Sequence, residues 1–262
     1  MKIILLLIFT ISNQLVIAQY NTTIRSARPG QSFGPFTTGQ NIFQVQTGAT
    51  FDNFNHKISD FSGNGFGYLM SLRYGLEEAF EIRAAFATRS DNSISNGNET
   101  KIGGLSAVVT GVRYNIKNGK GQKASYAVQT DVRLNIVDED YNPNDIAPRI
   151  ILLHGQKLSD KLGLTTNWGL SWNGNNSAPR GFYVVNLSFP ISDKFGSFIE
   201  TYGGVVRDDF TIFFDTGLSY LVNNDFQLDI SAGYGSNNNI TNSFIDAGIS
   251  WRTGKWKQMA EN

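Results

Sequence analysis

The sequence contains no cysteine, few charged residues and no excess of basic residues, and these shortages limit the class of protein. Without cysteine the chain has no disulfide scaffold, no thiolate zinc site and no cysteine nucleophile. Only 17% of the 262 residues are charged, below the roughly one quarter that is usual for globular domains. Lysine plus arginine and aspartate plus glutamate each total 22, so the basic excess of a nucleic-acid binder is missing.

Aromatic residues and glycine are abundant instead. The chain has 19 Phe, 10 Tyr, 4 Trp and 27 Gly, yet its mean hydropathy is slightly negative, at −0.21. This combination excludes a bundle of membrane helices, because no segment after the N-terminus reaches the roughly 18 apolar residues that such a helix needs. If the chain is exported, the absence of cysteine fits a bacterial envelope protein better than a eukaryotic secreted one.

The first 18 residues are predicted to be a secretory signal peptide. Lys2 supplies the positive charge, an apolar run covers 3–11, and Val16-Ile17-Ala18 places small residues where signal peptidase reads them. The apolar run is too short for a membrane anchor, which needs about 20 residues. We therefore expect cleavage after Ala18 and export across the inner membrane.

Residues 41–253 alternate between apolar and polar side chains, which is the period of a β-strand. Twelve such segments are visible, and each is about ten residues long, the length that a tilted strand needs to cross a bilayer. The clearest runs from Tyr126 to Ile136. The pattern leaves open which side chains face inward near 147–157 and 195–205.

The connections between these segments indicate a barrel in the outer membrane. Those after even-numbered segments are short, such as Gly75-Leu76-Glu77-Glu78, whereas 52–66 and 89–101 predict long polar loops after the first and third segments. Short periplasmic turns and long extracellular loops are typical of outer-membrane barrels. A soluble β-sandwich would also alternate, but it would not explain this asymmetry of the loops.

The sequence therefore predicts an all-β protein with four parts. Residues 1–18 are the signal peptide, and 19–40 form an N-terminal periplasmic segment that can enter the lumen. Residues 41–253 form a closed antiparallel up-and-down transmembrane β-barrel of about twelve strands, and 254–262 form a polar C-terminal tail. An even strand count places both ends of the barrel on the periplasmic side, which agrees with export through the inner membrane.

The segment before the first strand resembles a known family. Ile24-Arg25-Ser26-Ala27-Arg28-Pro29-Gly30-Gln31 and the strand Ile42-Phe43-Gln44-Val45-Gln46 look like the start of the bacterial outer-membrane barrels called MetA-pathway of phenol degradation-like proteins. In that family an Asp is common where this chain has Ala27, and an inward Glu where it has Gln46. The resemblance implies a transporter or channel for passive uptake of small organic molecules.

Charged residues on the polar faces of the strands are predicted to line the lumen. They are Arg73, Glu81, Arg83, Arg113, Asp131, Arg133, Glu200, Asp215, Asp229, Asp246 and Arg252. Most basic members fall on the second to fifth segments and most acidic ones on the ninth to twelfth, so opposite walls carry opposite charges. They either select solutes in an open pore or bond across a narrow lumen and plug it. Arg28 is a candidate partner for one of the acids at the periplasmic mouth.

The leading hypothesis for function is a passive outer-membrane channel for small solutes, aromatic or hydrophobic ones among them. A structural or adhesive barrel with a plugged lumen and a hydrolase at the rim are the alternatives. An enzyme is disfavoured because His56 and His154, the two histidines, are predicted in a loop and in the barrel wall, without a paired nucleophile or metal partner. The expected partners are outer-membrane lipid and a small solute, without cofactor, metal or nucleic acid, while solute identity and oligomeric state stay open.

Overall fold

The structure is a computed structural model that describes residues 22–206, 209–237 and 239–254. The predicted signal peptide and almost all of the predicted polar tail lie outside the described residues. No helix in the described ranges is long and apolar enough to cross a membrane.

Thirteen antiparallel strands and one short 3₁₀ helix, Glu139–Tyr141, form in the described ranges. The strands are β1 (Phe43–His56), β2 (Phe61–Gly75), β3 (Phe80–Ser95), β4 (Asn98–Lys117), β5 (Ser125–Arg133), β6 (Ala147–Ser159), β7 (Leu162–Ser171), β8 (Arg180–Pro190), β9 (Phe195–Val206), β10 (Asp209–Phe210), β11 (Ile212–Asn223), β12 (Phe226–Asn237) and β13 (Ile240–Arg252).

These strands close into a single barrel. Strand β1 pairs with β2 on one side and with β13 on the other, and the remaining neighbours pair in sequence order, including β8 with β9. The two-residue strand β10 is separated from β11 by Thr211 alone, and both pair with β9, so the wall has twelve strands. The structure confirms the predicted closed, antiparallel, up-and-down barrel.

The barrel has an apolar outside and a polar inside, as a bilayer requires. Phe214 and Trp168 point outward and are 61% and 53% exposed, whereas the inward Gln129 and Asn167 are fully buried. This arrangement is the reverse of a soluble protein and is typical of a wall that faces lipid. It follows directly from the alternation of side chains along each strand.

The structure settles the two segments whose facing the sequence leaves open. In β9, Ile199 is outward and 52% exposed, while Phe198 and Glu200 are buried inside. In β6, Ile151 and Leu153 are completely buried against the inner side. The sequence of β6 shows no alternation between apolar and polar residues, because its inward residues Ile151 and Leu153 are apolar like the outward ones.

The prediction of long loops at 52–66 and 89–101 was wrong. Strands β1 and β2 continue to His56 and from Phe61, so only residues 57–60 connect them. Strands β3 and β4 are joined by Asn96 and Gly97, both with positive φ, which is the geometry of a two-residue hairpin turn. The polar Asn, Ser and Gly residues there pair in the strand ladders, so the loss of apolar alternation did not mark the end of the strands.

Candidate functional site in the barrel lumen

Residues 22–42 run through the inside of the barrel. They form almost no regular secondary structure, and Ile24 and Ile42 are buried at 5% and 2% exposure. An irregular buried segment must find partners for its backbone polar groups. The inward side chains of the strands supply these partners, so the lumen and the segment have to be described together.

The first anchor lies where the barrel closes between β1 and β13. The hydroxyl oxygens of Ser26 and Ser250 are 2.7 Å apart, and Gln46 donates an amide hydrogen bond to the Ser26 hydroxyl at 2.7 Å. Gln44 donates to the carbonyl oxygen of Arg25 at 3.2 Å. Both β1 glutamines therefore hold the incoming segment, and this explains why they are buried.

Arg28 is the charged anchor of the segment. Its Nε donates to Asp229 Oδ1 at 3.2 Å, its Nη2 lies 3.0 Å from the same oxygen, and Nη2 also bonds Asp246. The guanidinium lies against Gly48 and Gly248, which are directly paired across β1 and β13, and a methyl group on either would overlap it. The two glycines therefore form the slot in which Arg28 reaches its carboxylates.

A second group of contacts holds the middle of the segment on the opposite side of the lumen. The backbone N–H groups of Gln31 and Ser32 donate to the Glu200 carboxylate at 2.6 and 3.1 Å. Asn167 binds Phe33 twice, accepting from its N–H at 2.7 Å and donating to its carbonyl at 2.8 Å. This pairing of amide with backbone imitates one step of a strand ladder.

The end of the segment crosses to β2, β3 and β4 before it enters β1. The Phe36 carbonyl accepts hydrogen bonds from Arg113 at 2.9 Å and from Arg73 at 3.2 Å, and the Thr38 N–H donates to Glu81 at 2.8 Å. Arg73 also makes two bonds of 2.8 Å to Glu81. A bidentate pair of this kind is fixed in geometry as well as favourable in energy.

A row of charges crosses the wall from β3 to β6. Asp131 lies 3.6 Å from Arg83 Nε and accepts from Arg149 at 3.1 and 2.5 Å. Gly111 stands between Arg83 and Asp131 in the register, and a side chain there would overlap the carboxylate.

Arg113 has a neutral partner, the amide oxygen of Gln129, at 3.0 and 2.6 Å.

All of the predicted lumen residues lie on inward faces of their strands, but they are not joined in one group. Arg73 and Arg83 pair with acids of their own wall, Glu81 and Asp131, whereas Arg113 pairs with the neutral Gln129. On the other side, Glu200, Asp229 and Asp246 bind the N-terminal segment. Arg133 donates to the backbone carbonyls of Ser106 and Tyr141, and Arg252 donates to Asp225 at 2.7 Å. Part of the acidic group therefore contacts the N-terminal segment rather than the basic wall.

Several lumen residues are missing from the sequence prediction. Arg149 lies on β6, where the inward Ile151 and Leu153 pack with Phe33 and hide the alternation. Asp52 and Arg89, 2.8 Å apart, lie on parts of β1 and β3 that the sequence pattern assigns to loops. The sequence would reveal Asp52 and Arg89 as inward residues only if it were known that β1 and β3 continue as paired strands through these polar stretches.

A second network ties the loop after β5 to the rim. Arg89 Nε donates to Asp91 at 2.7 Å, and the Tyr141 hydroxyl donates to the other oxygen of Asp91 at 2.9 Å. Burial in the loop and this hydrogen bond raise the pKa of Tyr141 to about 12. Tyr141 therefore stays protonated and keeps donating over the whole physiological range.

The two histidines differ in how they match their predicted positions: His56, predicted in a long loop, is the last residue of β1, whereas His154 lies in the barrel wall as predicted. His56 Nδ1 accepts from the N–H of Ser59 at 3.0 Å and caps the turn after β1. His154 lies on β6 beside Tyr126, with ring centroids 5.3 Å apart. No group of three or more His, Asp or Glu able to hold a metal ion occurs among the described residues.

The lumen keeps a cavity of about 760 Å³ beside the N-terminal segment. Arginines of β3 and β6, among them Arg83 and Arg149, line it together with aromatic rings of β8, β9, β11 and β13. The rings of Tyr202 and Phe213 are stacked with centroids 5.4 Å apart. The volume lies within the range of roughly 300–1,000 Å³ that is usual for small-molecule sites.

Asp215 has an unfavourable environment that predicts a stabilising substitution. It lies directly opposite Glu200 in the β9–β11 register and is 5% exposed, and no N–H or hydroxyl donor among the described residues bonds either of its carboxylate oxygens. We expect Asp215→Asn to raise the free energy of unfolding by about 1 kcal/mol or more, because it removes a like charge and adds a donor to Glu200. Urea unfolding in lipid vesicles measures this.

The matched control is Asp246→Asn, which makes the same chemical change at a carboxylate that binds Arg28. Here the free energy of unfolding is expected to fall, by about 1.5–3 kcal/mol, because a charged hydrogen bond is lost. Equal destabilisation by both substitutions would contradict this assignment.

A closed twelve-stranded barrel with an apolar outer band and a polar lumen defines the class of outer-membrane β-barrels. Within that class, the family model described as "Putative MetA-pathway of phenol degradation" matches residues 26–253, and the chain belongs to this family. The match confirms the resemblance that residues 24–51 indicate. No curated protein matches the sequence.

Solved structures share the fold at low sequence identity. The COG4313 outer membrane channel from Pseudomonas putida F1 is similar with a TM-score of 0.66 and 11% identity, over 87% of this chain and 100% of that one. The transport unit of the autotransporter AIDA-I from Escherichia coli has a TM-score of 0.53 and 11% identity, over 95% and 97%. The translocator domain of NalP from Neisseria meningitidis has 0.52 and 13%, over 82% and 89%. At such identities these likenesses show the fold alone.

Proposed function

We propose that the protein is a passive outer-membrane channel for small organic solutes. The observation that carries the proposal is a lipid-facing barrel whose polar lumen keeps a cavity of about 760 Å³ beside the N-terminal segment. A barrel that served only as a membrane anchor would not need this space. Membership of the family and the shared fold with an outer membrane channel support the same conclusion.

The cavity favours solutes with a flat apolar part. Phe182, Tyr202, Phe213 and Phe244 line it, although inward positions of a water-filled pore are normally polar. Aromatic rings offer a solute large contact areas and preferred stacked or edge-to-face arrangements. Sugars and amino acids would lose hydration at this wall without equivalent hydrogen bonds.

The N-terminal segment supports the plugged barrel as the second candidate. Its backbone is bonded by side chains from β1, β2, β3, β4, β7, β9 and β12, so it is held around most of the lumen. A channel then requires either passage beside the segment or its displacement. A structural barrel requires neither, and the two candidates differ in what a flux measurement shows.

Liposome swelling tests the proposal. Proteoliposomes that contain the mature chain, residues 19–262, are diluted into isotonic solutions of sugars, amino acids and small aromatic acids. We expect swelling to be fastest with the aromatic acids, because they fit the aromatic wall. Protein-free liposomes are the control for direct permeation of the bilayer.

Failure with every solute in the panel would contradict the channel and leave the sealed structural barrel. A hydrolase at the rim is addressed in the same preparation by an ester hydrolysis assay with the parent chain and with His56→Ala and His154→Ala. We expect no difference between these chains, because His56 Nδ1 accepts the Ser59 N–H in a turn and the ring of His154 lies against Tyr126 in the wall.

A further inference from the structure

The wall formed by β2 to β6 carries more positive than negative charge. Arg73, Arg83, Arg113 and Arg149 point into the lumen there, and the carboxylates that contact them are Glu81 and Asp131. Four guanidinium groups against two carboxylates leave an excess of two positive charges within this group. Uncompensated charge in a poorly solvated site is unfavourable, so the group has a place for an anion.

Arg83 is the member whose hydrogen bonds are least satisfied. It is 9% exposed, and its Nε and Nη1 atoms have no hydrogen-bond partner among the residues that the structure describes. Its nearest carboxylate oxygen, on Asp131, is 3.6 Å from Nε, which is too long for a good hydrogen bond. Asp131 is engaged more closely by Arg149, at 2.5 Å.

The ring of Phe33 is placed at the centre of this cluster. Its centroid lies 5.1 Å from the guanidinium carbon of Arg83, 5.7 Å from that of Arg149 and 5.9 Å from that of Arg113. These separations are within the range of about 6 Å for cation–π contacts. A ring face attracts the cations but accepts no strong hydrogen bond, so it compensates their charge only in part.

The cluster is open to the cavity on one side. Arg149 is one-third exposed, and Arg83, Arg113, Arg149 and Phe33 all line the cavity. Phe182 and Phe33 both pack against the buried Ala127, Ile151 and Leu153, so Phe182 adds a second aromatic surface close by. A ligand there would meet guanidinium groups at one end and aromatic rings beside them.

We propose that the cluster of Arg83, Arg149 and Phe33 is a binding site for a small aromatic carboxylate. The carboxylate of the ligand takes the hydrogen bonds that Arg83 and Arg149 offer, and its ring packs on Phe33 and Phe182. A carboxylate suits this site because the planar fork of a guanidinium matches its two oxygens. The inference rests on the proposed function, since it names the solute class of that channel.

Calorimetric titration of the mature chain in detergent micelles tests the site with three probes. Benzoate has both the charge and the ring, benzamide has the ring without the charge, and acetate has the charge without the ring. We expect benzoate to bind about ten-fold or more tightly than either of the others. Equal affinity for benzoate and benzamide, or for benzoate and acetate, would overturn the proposal.

Substitutions locate the site. Arg83→Gln and the more exposed Arg149→Gln are each expected to weaken benzoate binding about ten-fold. Arg149→Lys, which keeps the charge but loses the planar fork, is expected to recover only part of the affinity. Lys101→Gln is the matched control, because it removes one positive charge from the exposed β3–β4 hairpin and should leave benzoate affinity unchanged.

Benzoate affinity that does not change in Arg83→Gln and Arg149→Gln would place the ligand elsewhere and refute the assignment. Arg149→Gln keeps the test valid if Arg83→Gln does not fold, because its side chain is partly solvated. Binding without swelling would count against the channel but not against the site. Swelling without benzoate binding would count against the site but not against the channel.

Discussion

Deleting residues 20–38 is expected to raise the single-channel conductance of the barrel several-fold. The segment is bonded by inward side chains on most sides of the lumen, and Arg28, Phe33 and Phe36 fill space there. A barrel of twelve strands has a lumen between the filled eight-stranded type and the open porins, so its own side chains do not close it. Planar bilayer recordings of the parent and shortened chains measure the difference.

The control for this experiment is the fold itself. The strands pair with each other and not with the segment, apart from one isolated bridge between Gln40 and Gly75, so the shortened barrel should still form. Heat-dependent gel mobility and circular dichroism of the two chains should therefore agree. An unchanged conductance in a correctly folded barrel would show that the segment does not obstruct passage.

Arg28→Ala is expected to loosen the same segment and to lower the free energy of unfolding by about 3 kcal/mol or more. Removal of the guanidinium leaves Asp229 and Asp246 without their cation inside the barrel. Removing one partner of a buried ion pair lowers the free energy of unfolding by about 3–5 kcal/mol, because the remaining charge stays desolvated. Urea unfolding gives the stability, and flickering of the conductance reports the loosened segment.

Gly248→Ala reaches the same contact without removing a charge. The added methyl group occupies the position of the Arg28 guanidinium, so it should displace this side chain and reproduce part of the effect of Arg28→Ala. Gly67→Ala is the matched control, since the nearest atoms to its new methyl group would be 3.9 Å away. Equal behaviour of Gly248→Ala and Gly67→Ala would contradict a role for the glycine slot.

The strand pattern could be derived from the sequence because one physical rule governs the whole wall. Every wall residue faces either lipid or lumen, so strands such as β5 and β12 can be recognised in the sequence by their strict alternation of apolar and polar residues. The same rule identifies Arg73, Glu81 and Asp229 as inward residues from the sequence alone. It fails for β6, because Ile151 and Leu153 face inward against Phe33 and make the strand apolar on both sides.

The ends of the strands could not be derived in the same way. Polar residues over 52–66 and 89–101 indicate only that the alternation of apolar and polar side chains ends there. Whether it continues as a paired strand depends on the register with both neighbouring strands, as β1 shows by pairing Asn55 with Ser62 in the next strand and with Thr241 near the other end of the chain. Local composition carries no information about such a partner.

The sequence by itself determined the class of protein, the closed barrel and the division of charge between its walls. Each of these follows from local alternation and from the requirement that a wall in lipid satisfies its own backbone. Only the tertiary structure decided how the charges are used. Arg28 bridges to Asp229 and Asp246, and Phe33 lies among three arginines, because one irregular segment passes through a lumen that distant strands enclose.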